Sequence, residues 1–181
     1  MELSLIARVE GPNLILRLIK PDDAAYVHSL RTNPLYNSHL SKVTGNVQDQ
    51  RAWIEGYQAR EAARQEFYYV IERKDGTRCG LVRLYDFDVE SFSWGSWVLD
   101  ENKPRKAALE SAVLSFGVGF DALGVQLANV DVRVANEHAA AFYRRLGMVE
   151  THRTDQDIFF NYTREQFETG RTHHLKQLSE N

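Results

Sequence analysis

The sequence predicts a single α/β domain with a mixed sheet. A strand pattern followed by helix patterns opens the chain, three strand patterns separated by short turns come next, and helix and strand patterns then alternate. Strands and helices interleaved in this way are typical of α/β architecture. The length of 181 residues fits one domain, and a domain of that size can bury a substantial core.

The composition excludes several classes of protein. The hydrophobic fraction of 43% and the charged fraction of 26% are ordinary for a globular chain, and no apolar run approaches the roughly 18 to 20 residues that span a bilayer. The N-terminus lacks the basic start and apolar stretch of a signal peptide, and the single cysteine, Cys79, cannot form an internal disulfide. The net charge of −3 argues against a nucleic-acid partner. We therefore expect a cytoplasmic protein that binds neither membranes nor nucleic acid.

The first third of the chain predicts a strand and two helices. Residues 13–19 alternate as a strand does, and Pro21 with the two acids after it begins a helix that continues over residues 24–31. The polar stretch 33–46 predicts a loop. Residues 47–64 carry large side chains at helical spacing and predict the second helix.

Three strands are predicted in the middle of the chain. Residues 67–73 and 79–86 flank an Asp-Gly turn, which is typical of a hairpin, and residues 92–99 form the third strand. Gly95 lies inside this third strand, where a glycine often marks a bulge or a close approach to the backbone.

Helices and strands alternate in the remaining sequence. The predicted elements are a helix at 104–123, a strand at 127–135, a helix at 137–146 and a strand at 157–162. Gly124 and Gly147 end the two helices as C-caps. From Arg164 onward the sequence predicts a polar helical tail.

Residues 134–148, VANEHAAAFYRRLGM, carry a resemblance to the GNAT superfamily of acetyl-CoA-dependent N-acetyltransferases. This segment is similar to the family's strand, asparagine, tyrosine-bearing helix and Leu-Gly-Phe sequence, with Met148 in the place of the phenylalanine. Residues 94–99, WGSWVL, and 116–124, FGVGFDALG, resemble the strand before the cofactor loop and the end of the helix after it.

The resemblance covers about residues 13–168 and implies one GNAT domain with a mostly antiparallel sheet. Residues 169–181 are then a polar helical tail of that domain. The branch resembled contains ribosomal-protein N-terminal acetyltransferases, polyamine acetyltransferases and enzymes that acetylate amino groups on nucleotide-linked sugars.

The resemblance also implies roles for individual residues. Acetyl-CoA would be the co-substrate, and an amine would attack it directly, a reaction that depends on positioning. The implied contacts to its pantetheine arm and phosphates come from the backbone of Trp97, Val98 and Leu99, from Asn136 and from Arg145. Tyr143, seven residues after Asn136, stands at the family's position for the acid that protonates the leaving thiolate. Core packing is the alternative for Tyr143, a helix N-cap for Asn136 and a solvated helix face for Arg145.

The diphosphate loop departs from the family pattern Gln/Arg-x-x-Gly-x-Gly/Ala. The matching residues are Lys103, Pro104, Arg105, Lys106, Ala107 and Ala108. Lys106 stands where the first glycine is expected, and Pro104 has no N–H to donate. Three cations in four residues can neutralise phosphate directly, which favours a cofactor site at this helix N-terminus. The alternative is a solvated loop.

The general base is not evident from the resemblance, because Ser93 stands where many relatives carry a carboxylate. The nearby acids are Asp86, Asp88 and Glu90, and Asp86 is the best candidate because it can lie at a strand end and act through water. The alternatives are an acidic hairpin edge without catalytic function, or an acceptor amine that needs no base.

Other side chains have less specific roles. Strand alternation predicts Trp94 and Trp97 on opposite faces, one in the core and one lining the cleft. Tyr36 and His39 lie in the region that forms the acceptor site in the family, although a surface position is the alternative for His39. Asp157 resembles an acid in the branch's late strand whose role is open.

The sequence thus predicts an N-acetyltransferase that moves an acetyl group from acetyl-CoA to a primary amine, with a small molecule such as an amino sugar as acceptor. The alternatives are a protein N-terminus as acceptor, a non-catalytic binding module on the same fold, or an assembly partner built on the tail. The sequence does not identify the oligomeric state, and a homodimer is one alternative. No metal site is predicted, because adjacent histidines His173 and His174 have no further ligand.

Overall fold

The computed structural model describes residues 4–180. Residues 1–3, which begin the N-terminal segment analysed for a signal peptide, and Asn181, which ends the predicted tail, lie outside the described part. The strands are β1 (Arg8–Glu10), β2 (Leu14–Leu18), β3 (Phe67–Arg73), β4 (Arg78–Tyr85), β5 (Ser91–Leu99), β6 (Leu127–Arg133), β7 (Val149–Arg153) and β8 (Asp157–Thr163). The α-helices are α1 (Ser4–Ala7), α2 (Ala24–Thr32), α3 (Pro34–Asn37), α4 (Val47–Ala62), α5 (Ala107–Gly117), α6 (Glu137–Leu146) and α7 (Arg164–Ser179).

The strands form one open sheet in the order β1-β2-β3-β4-β5-β6-β8-β7. Every neighbouring pair is antiparallel except β5 and β6, which run parallel. The prediction of an α/β domain with a mixed sheet is therefore confirmed. Its mostly antiparallel character follows from the short hairpin connections between successive strands, which only antiparallel pairs can use.

Two short edge strands and two four-residue helices, α1 and α3, were not predicted. β1 and β7 have three and five residues and form the two edges of the sheet. Their residues are mostly exposed, so their sequences lack the alternation of buried and exposed side chains that identifies a strand. α3 lies inside the stretch predicted as a loop, and the Asn33 side chain caps it by accepting a hydrogen bond from the Leu35 N–H at 2.9 Å.

The helix predicted at 104–123 is shorter than expected. α5 begins only at Ala107 because Lys106 adopts a left-handed backbone with φ 63°, which an α-helix cannot include. After Gly117 the chain continues as a π-helical segment, Val118–Ala122, and Gly124 (φ 74°) ends it as predicted.

The core occupies both faces of the sheet, because successive side chains of β3 enter two different hydrophobic clusters. The first cluster contains aromatic side chains from β5, α5, β8 and α7: Phe92, Phe116, Tyr162 and Phe167. The second contains side chains from α2, α4 and β3: Val27, Ile54, Tyr57 and Tyr68. Within residues 4–180 no helix has both the length and the apolar character needed to cross a membrane.

Candidate active site

The sheet opens between β5 and β6. The two strands pair only over Ser91–Ser93 and residues 127–129, and beyond that point no ladder joins them. The edge of β5 that faces β6 therefore has no partner strand from residue 94 onward. Backbone N–H and C=O groups on a free edge are available to a ligand, as they are to an added strand.

A β-bulge in β5 shapes this opening. Leu81 pairs with Val98 and Arg83 with Gly95, so three steps along β5 match two along β4. The extra residue is accommodated at Ser96, whose φ is 47°. Gly95 was predicted to mark a bulge or a close approach, and the bulge begins directly after it.

The bulge reverses the alternation of side chains, so the prediction that Trp94 and Trp97 lie on opposite faces is wrong. Both indole Nε1–H groups donate to serines of α5, Trp94 to Ser115 at 2.9 Å and Trp97 to Ser111 at 3.1 Å. The two ring centroids are 5.3 Å apart. The pair fixes the spacing between the bulged strand and the helix that follows it.

A cavity of about 380 Å³, here called the helix-side cavity, lies between the end of β5, the turn before α5, and α6. It brings together seven residues predicted from the sequence: Trp97, Val98, Leu99, Lys103, Ala108, Asn136 and Tyr143. Ala108 lies in the first turn of α5, where backbone N–H groups have no acceptor within the helix and can bind an anion. The strand edge and the helix N-terminus suit the amide groups and the diphosphate of CoA.

The turn before α5 uses its basic side chains in different ways. Lys103 lines the helix-side cavity, whereas Arg105 is exposed and lies outside it. The Lys106 ammonium donates to the backbone carbonyls of Gln177 and Glu180 at the end of α7. Lys106 thus joins the tail helix to the turn, and its left-handed backbone is the conformation that glycine adopts most readily.

Two other predicted cofactor residues have structural partners. Ala107 is buried, and its N–H donates to the Pro104 carbonyl at 3.2 Å. Arg145 lies away from the helix-side cavity, with its guanidinium 5.9 Å from the centre of the Phe142 ring.

Asn136 caps α6, which is the alternative role that the sequence left open for it. Its side-chain oxygen accepts from the Ala139 N–H at 3.2 Å and caps α6, and the residue also lines the cleft. The cap fixes the start of the helix that carries Tyr143.

A second cavity of about 310 Å³, here called the loop-side cavity, adjoins the first. Tyr36 and His39 from the predicted acceptor region line it, together with Asp131 and Asp157 from β6 and β8. Four residues border both cavities: Tyr36, Trp97, Asn136 and Tyr143.

Tyr143 is 5% exposed and packs edge-on against Trp94 and Phe160. Burial raises the pKa of the Tyr143 phenol far above its ordinary value, and the nearby Asp131 carboxylate and Tyr85 hydroxyl raise it further. The hydroxyl is therefore protonated at neutral pH and can donate a hydrogen bond into the cleft.

Among the acids, the structure brings Asp131 to the cleft and leaves Asp86 outside it. Asp86 follows β4 in an exposed, left-handed position (φ 49°) and borders neither cavity. Asp131 lines the loop-side cavity and stays open to solvent. Desolvation by the surrounding protein and the Asp157 carboxylate raise its pKa, while the Arg133 guanidinium lowers it. Asp157 itself pairs with Arg133 at 3.2 Å.

The sequence predicts residues 127–135 as an apolar strand, and that prediction does not single out Asp131. The strand in fact alternates, with Ala128 and Val130 buried and Asn129 and Asp131 open to solvent. That period-2 pattern was the available signal for a polar face on β6. In the described part of the chain no group of three or more histidine, cysteine or acidic residues could hold a metal ion.

The family model for the acetyltransferase (GNAT) domain matches residues 13–149. The chain belongs to the GNAT acetyltransferase family. Its single-domain fold and its enzyme class follow from this membership.

Two solved structures and one curated protein are similar to the chain. The chain is 33% identical to the solved structure of apo FdhC, a nucleotide-linked sugar GNAT, with a TM-score of 0.86 over 92% of this chain and 96% of that one. It is 18% identical to spermidine N-acetyltransferase from Vibrio cholerae, solved with CoA and spermine, with a TM-score of 0.77 over 87% and 99%. It is also 24% identical to the SPbeta prophage-derived uncharacterized N-acetyltransferase YokL of Bacillus subtilis (strain 168), over 87% of this chain and 94% of YokL.

Proposed function

We propose that this GNAT enzyme transfers the acetyl group of acetyl-CoA to the primary amine of a small molecule, with an amino sugar as the preferred class. The observation that carries this proposal is the position of Tyr143, which borders both the helix-side and the loop-side cavity. A thioester in the first cavity and an amine in the second would meet at its hydroxyl.

The helix-side cavity is the proposed acetyl-CoA site. Trp97, Val98 and Leu99 would bind the pantetheine amides through the free edge of β5, and Lys103 with the N–H groups at the start of α5 would bind the diphosphate. Acetyl-CoA, when bound, supplies the acetyl group as an activated thioester.

The chemistry requires a base for the amine and a donor for the departing sulfur. We assign the base to Asp131 in preference to Asp86, because Asp131 lines the loop-side cavity and its pKa is raised. The ammonium of the arriving amine would first give a proton to Asp131, and the neutral nitrogen would then bond to the thioester carbonyl carbon. The C–S bond would break, and the nitrogen would release its remaining excess proton to solvent. Tyr143 gives its hydroxyl proton to the sulfur and recovers one from solvent.

The acceptor is inferred from the loop-side cavity. Its polar and acidic lining, which includes Ser41, Asp131 and Asp157, suits a small hydroxylated amine that arrives as a cation. FdhC, at 33% identity, is named for a nucleotide-linked sugar, which favours an amino sugar over a polyamine or a protein N-terminus.

A screen of amine acceptors with a thiol-release readout tests the proposal. Nucleotide-linked and free amino sugars, polyamines and N-terminal peptides are compared at one acetyl-CoA concentration, and an amino sugar is expected to give the highest kcat/KM. A peptide as the best acceptor would make the enzyme a protein N-terminal acetyltransferase.

Calorimetric titration with acetyl-CoA separates an enzyme from a non-catalytic module. We expect saturable binding in the micromolar to millimolar range in which KM values usually fall. Absence of binding at millimolar acetyl-CoA would favour the module.

A further inference from the structure

A third cavity of about 320 Å³ adjoins the loop-side cavity, with Ser41 in the wall of both. We call it the basic cavity, because Arg31, Lys42 and Arg83 line it around the side chain of Trp53. Nothing in the acetyl-transfer chemistry described above uses these residues.

Two of its cations have no acidic partner within residues 4–180. Arg31 donates from one terminal nitrogen to the Ser41 carbonyl at 3.1 Å and hydroxyl at 2.7 Å, while its Nε is buried without any hydrogen bond. Lys42 is exposed and forms no ion pair in the described chain. The Tyr68 hydroxyl lies beside the Arg31 guanidinium, but no carboxylate within residues 4–180 neutralises Arg31 or Lys42. A bound anion would supply that negative charge.

The remaining charges leave the basic cavity positive. Arg83 Nε donates to Glu66 at 2.5 Å, but the same carboxylate also accepts from Arg60 at 2.8 Å, so two guanidinium groups share one negative charge. One carboxylate lies in the wall, that of Asp49, and it accepts the Asn46 N–H at 2.8 Å as a helix cap.

The basic cavity also has an aromatic wall. Trp53 is 38% exposed, and the Arg83 guanidinium lies 5.8 Å from its ring centre. The Trp53 ring also stacks on Tyr57 at 5.9 Å and lies 5.3 Å from the Arg60 guanidinium, so only its exposed part is open to a ligand. Cations beside a partly exposed indole suit a ligand that combines phosphates with a planar base.

We propose that the basic cavity binds the diphosphate and base of a nucleotide-linked acceptor. Arg31 and Lys42 bind the phosphates, and Trp53 contacts the base. The sugar passes Ser41 into the loop-side cavity, where its amine meets Asp131 and Tyr143. This inference rests on the proposed function and specifies how the acceptor is recognised.

Calorimetric titration of the full chain without acetyl-CoA tests the site, using ADP, GDP, CDP, UDP and dTDP in turn. At least one is expected to bind more tightly than its own nucleoside, with an affinity that falls as salt is raised. Lys42→Ala should weaken that binding about tenfold, since a hydrogen bond to a charged group contributes about 1.5 kcal/mol or more. Lys42→Glu should weaken it further.

The matched control is Lys20→Ala, which removes an equally exposed lysine that lines none of these cavities. Its nucleotide affinity should equal that of the unmodified chain. With a nucleotide-linked amino sugar as acceptor, Lys42→Ala should raise the KM for the acceptor and leave the KM for acetyl-CoA unchanged.

Absence of nucleoside diphosphate binding, or binding that Lys42→Glu does not weaken, would overturn the inference. Inorganic pyrophosphate binding as tightly as the best nucleotide would overturn the assignment of a base to Trp53. An acidic peptide that binds where nucleotides do not would overturn it in favour of a protein acceptor. None of these results affects acetyl-CoA binding, whose loss would instead contradict the proposed function.

Discussion

Tyr143 is a residue whose surroundings make it a hydrogen-bond donor. Its phenol is buried against aromatic rings, close to the carboxylate of Asp131, and both effects keep the proton on the oxygen. A protonated phenol at the border of two cavities can stabilise a thiolate that forms there, and it does so only as the C–S bond breaks.

Tyr143→Phe is therefore expected to lower kcat at least about tenfold while leaving the affinity for acetyl-CoA nearly unchanged, because the lost interaction exists only in the transition state. Steady-state kinetics and acetyl-CoA titration measure the two quantities. Tyr162→Phe is the control, since Tyr162 is also buried and also loses a hydroxyl, which donates to the Leu146 carbonyl outside both cavities. Unchanged turnover in Tyr143→Phe would remove Tyr143 from the mechanism.

Asp131 and Asp86 are distinguished by the pH dependence of turnover. If Asp131 is the base, kcat/KM falls as pH drops through its raised pKa, because the protonated carboxyl cannot accept a proton. Asp131→Asn should lower kcat/KM and remove that acid limb. Asp86→Asn, which removes an exposed carboxylate outside both cavities, should preserve the limb. A limb lost only in Asp86→Asn would restore Asp86 as the base.

Asp131→Asn should also change the stability of the fold, and the sign of that change follows from the raised pKa of Asp131. A carboxyl with a raised folded-state pKa favours folding fully at pH below its unfolded pKa, and this contribution is lost as pH rises through the folded pKa. Ionised Asp131 therefore opposes folding at neutral pH, and Asp131→Asn should melt at or above the temperature of the unmodified chain. A lower melting temperature would show that the carboxylate has a stabilising partner.

The sequence predicted some of the individual residues that line the cleft. Tyr143 and Asn136 could be found because both belong to one contiguous segment, residues 134–148, whose sequence resembles the GNAT pattern. Asp131 and Arg31 could not be found in the same way. Their roles depend on residues from other strands and loops that approach them only when the sheet is assembled.

The turn before α5 is the element in which the sequence departs most from its family. Lys106 retains the left-handed backbone that suits glycine and uses its side chain to bind the last carbonyls of α7. A cation near the C-terminus of a helix is also favoured by the helix dipole. Lysine in place of the family's glycine therefore loses the conformational freedom of glycine at residue 106 and gains a contact between the turn before α5 and the tail helix.

Two substitutions at Lys106 separate these effects. Both Lys106→Ala and Lys106→Gly lose the contact with α7, but only alanine retains the left-handed strain, which costs about 1 kcal/mol for an L-residue. The glycine variant should therefore be more stable than the alanine variant by about 1 kcal/mol in chemical denaturation. Equal stabilities would mean that the turn relaxes when the lysine is lost.

The bulge in β5 shows where side-chain alternation fails to predict which face of a strand a residue occupies. Gly95 indicated an interruption of the strand, but strict alternation still assigned Trp94 and Trp97 to opposite faces. One inserted residue at Ser96 reverses the alternation, and its position is set by pairing with β4. Strands and helices with regular patterns, such as β3 and α6, were predicted with their exact bounds.

In the whole molecule, the cleft arises from one topological feature. A sheet that is otherwise antiparallel contains one parallel pair, β5 and β6, and these strands pair over three residues only. The opening lies between α5 and α6, so both the helix N-terminus and the tyrosine helix reach it. The order of elements in the sequence predicts the mixed sheet, whereas the place where the two strands part depends on the assembled fold.

The tail helix connects this cleft to the end of the chain. α7 buries Phe167 against the core near its start and Leu178 near its end. The carbonyls of Gln177 and Glu180, on either side of Leu178, accept from Lys106. The end of α7 thus supports the turn that borders the helix-side cavity. A change at the end of α7 should reach the cofactor site through this contact.

Leu178→Ala tests that connection. Leu178 is 8% exposed, and replacing it is expected to destabilise the fold by about 2 to 3 kcal/mol, the lower part of the range for buried leucines. Acetyl-CoA affinity should fall as well, because the loosened end of α7 no longer fixes Lys106. Leu175→Ala is the matched control on the same helix, since Leu175 is 48% exposed and should change neither quantity. Thermal melts and acetyl-CoA titrations of both variants measure the effects, and a destabilised Leu178→Ala chain that still binds acetyl-CoA with full affinity would show that α7 stabilises the fold without supporting the cofactor turn.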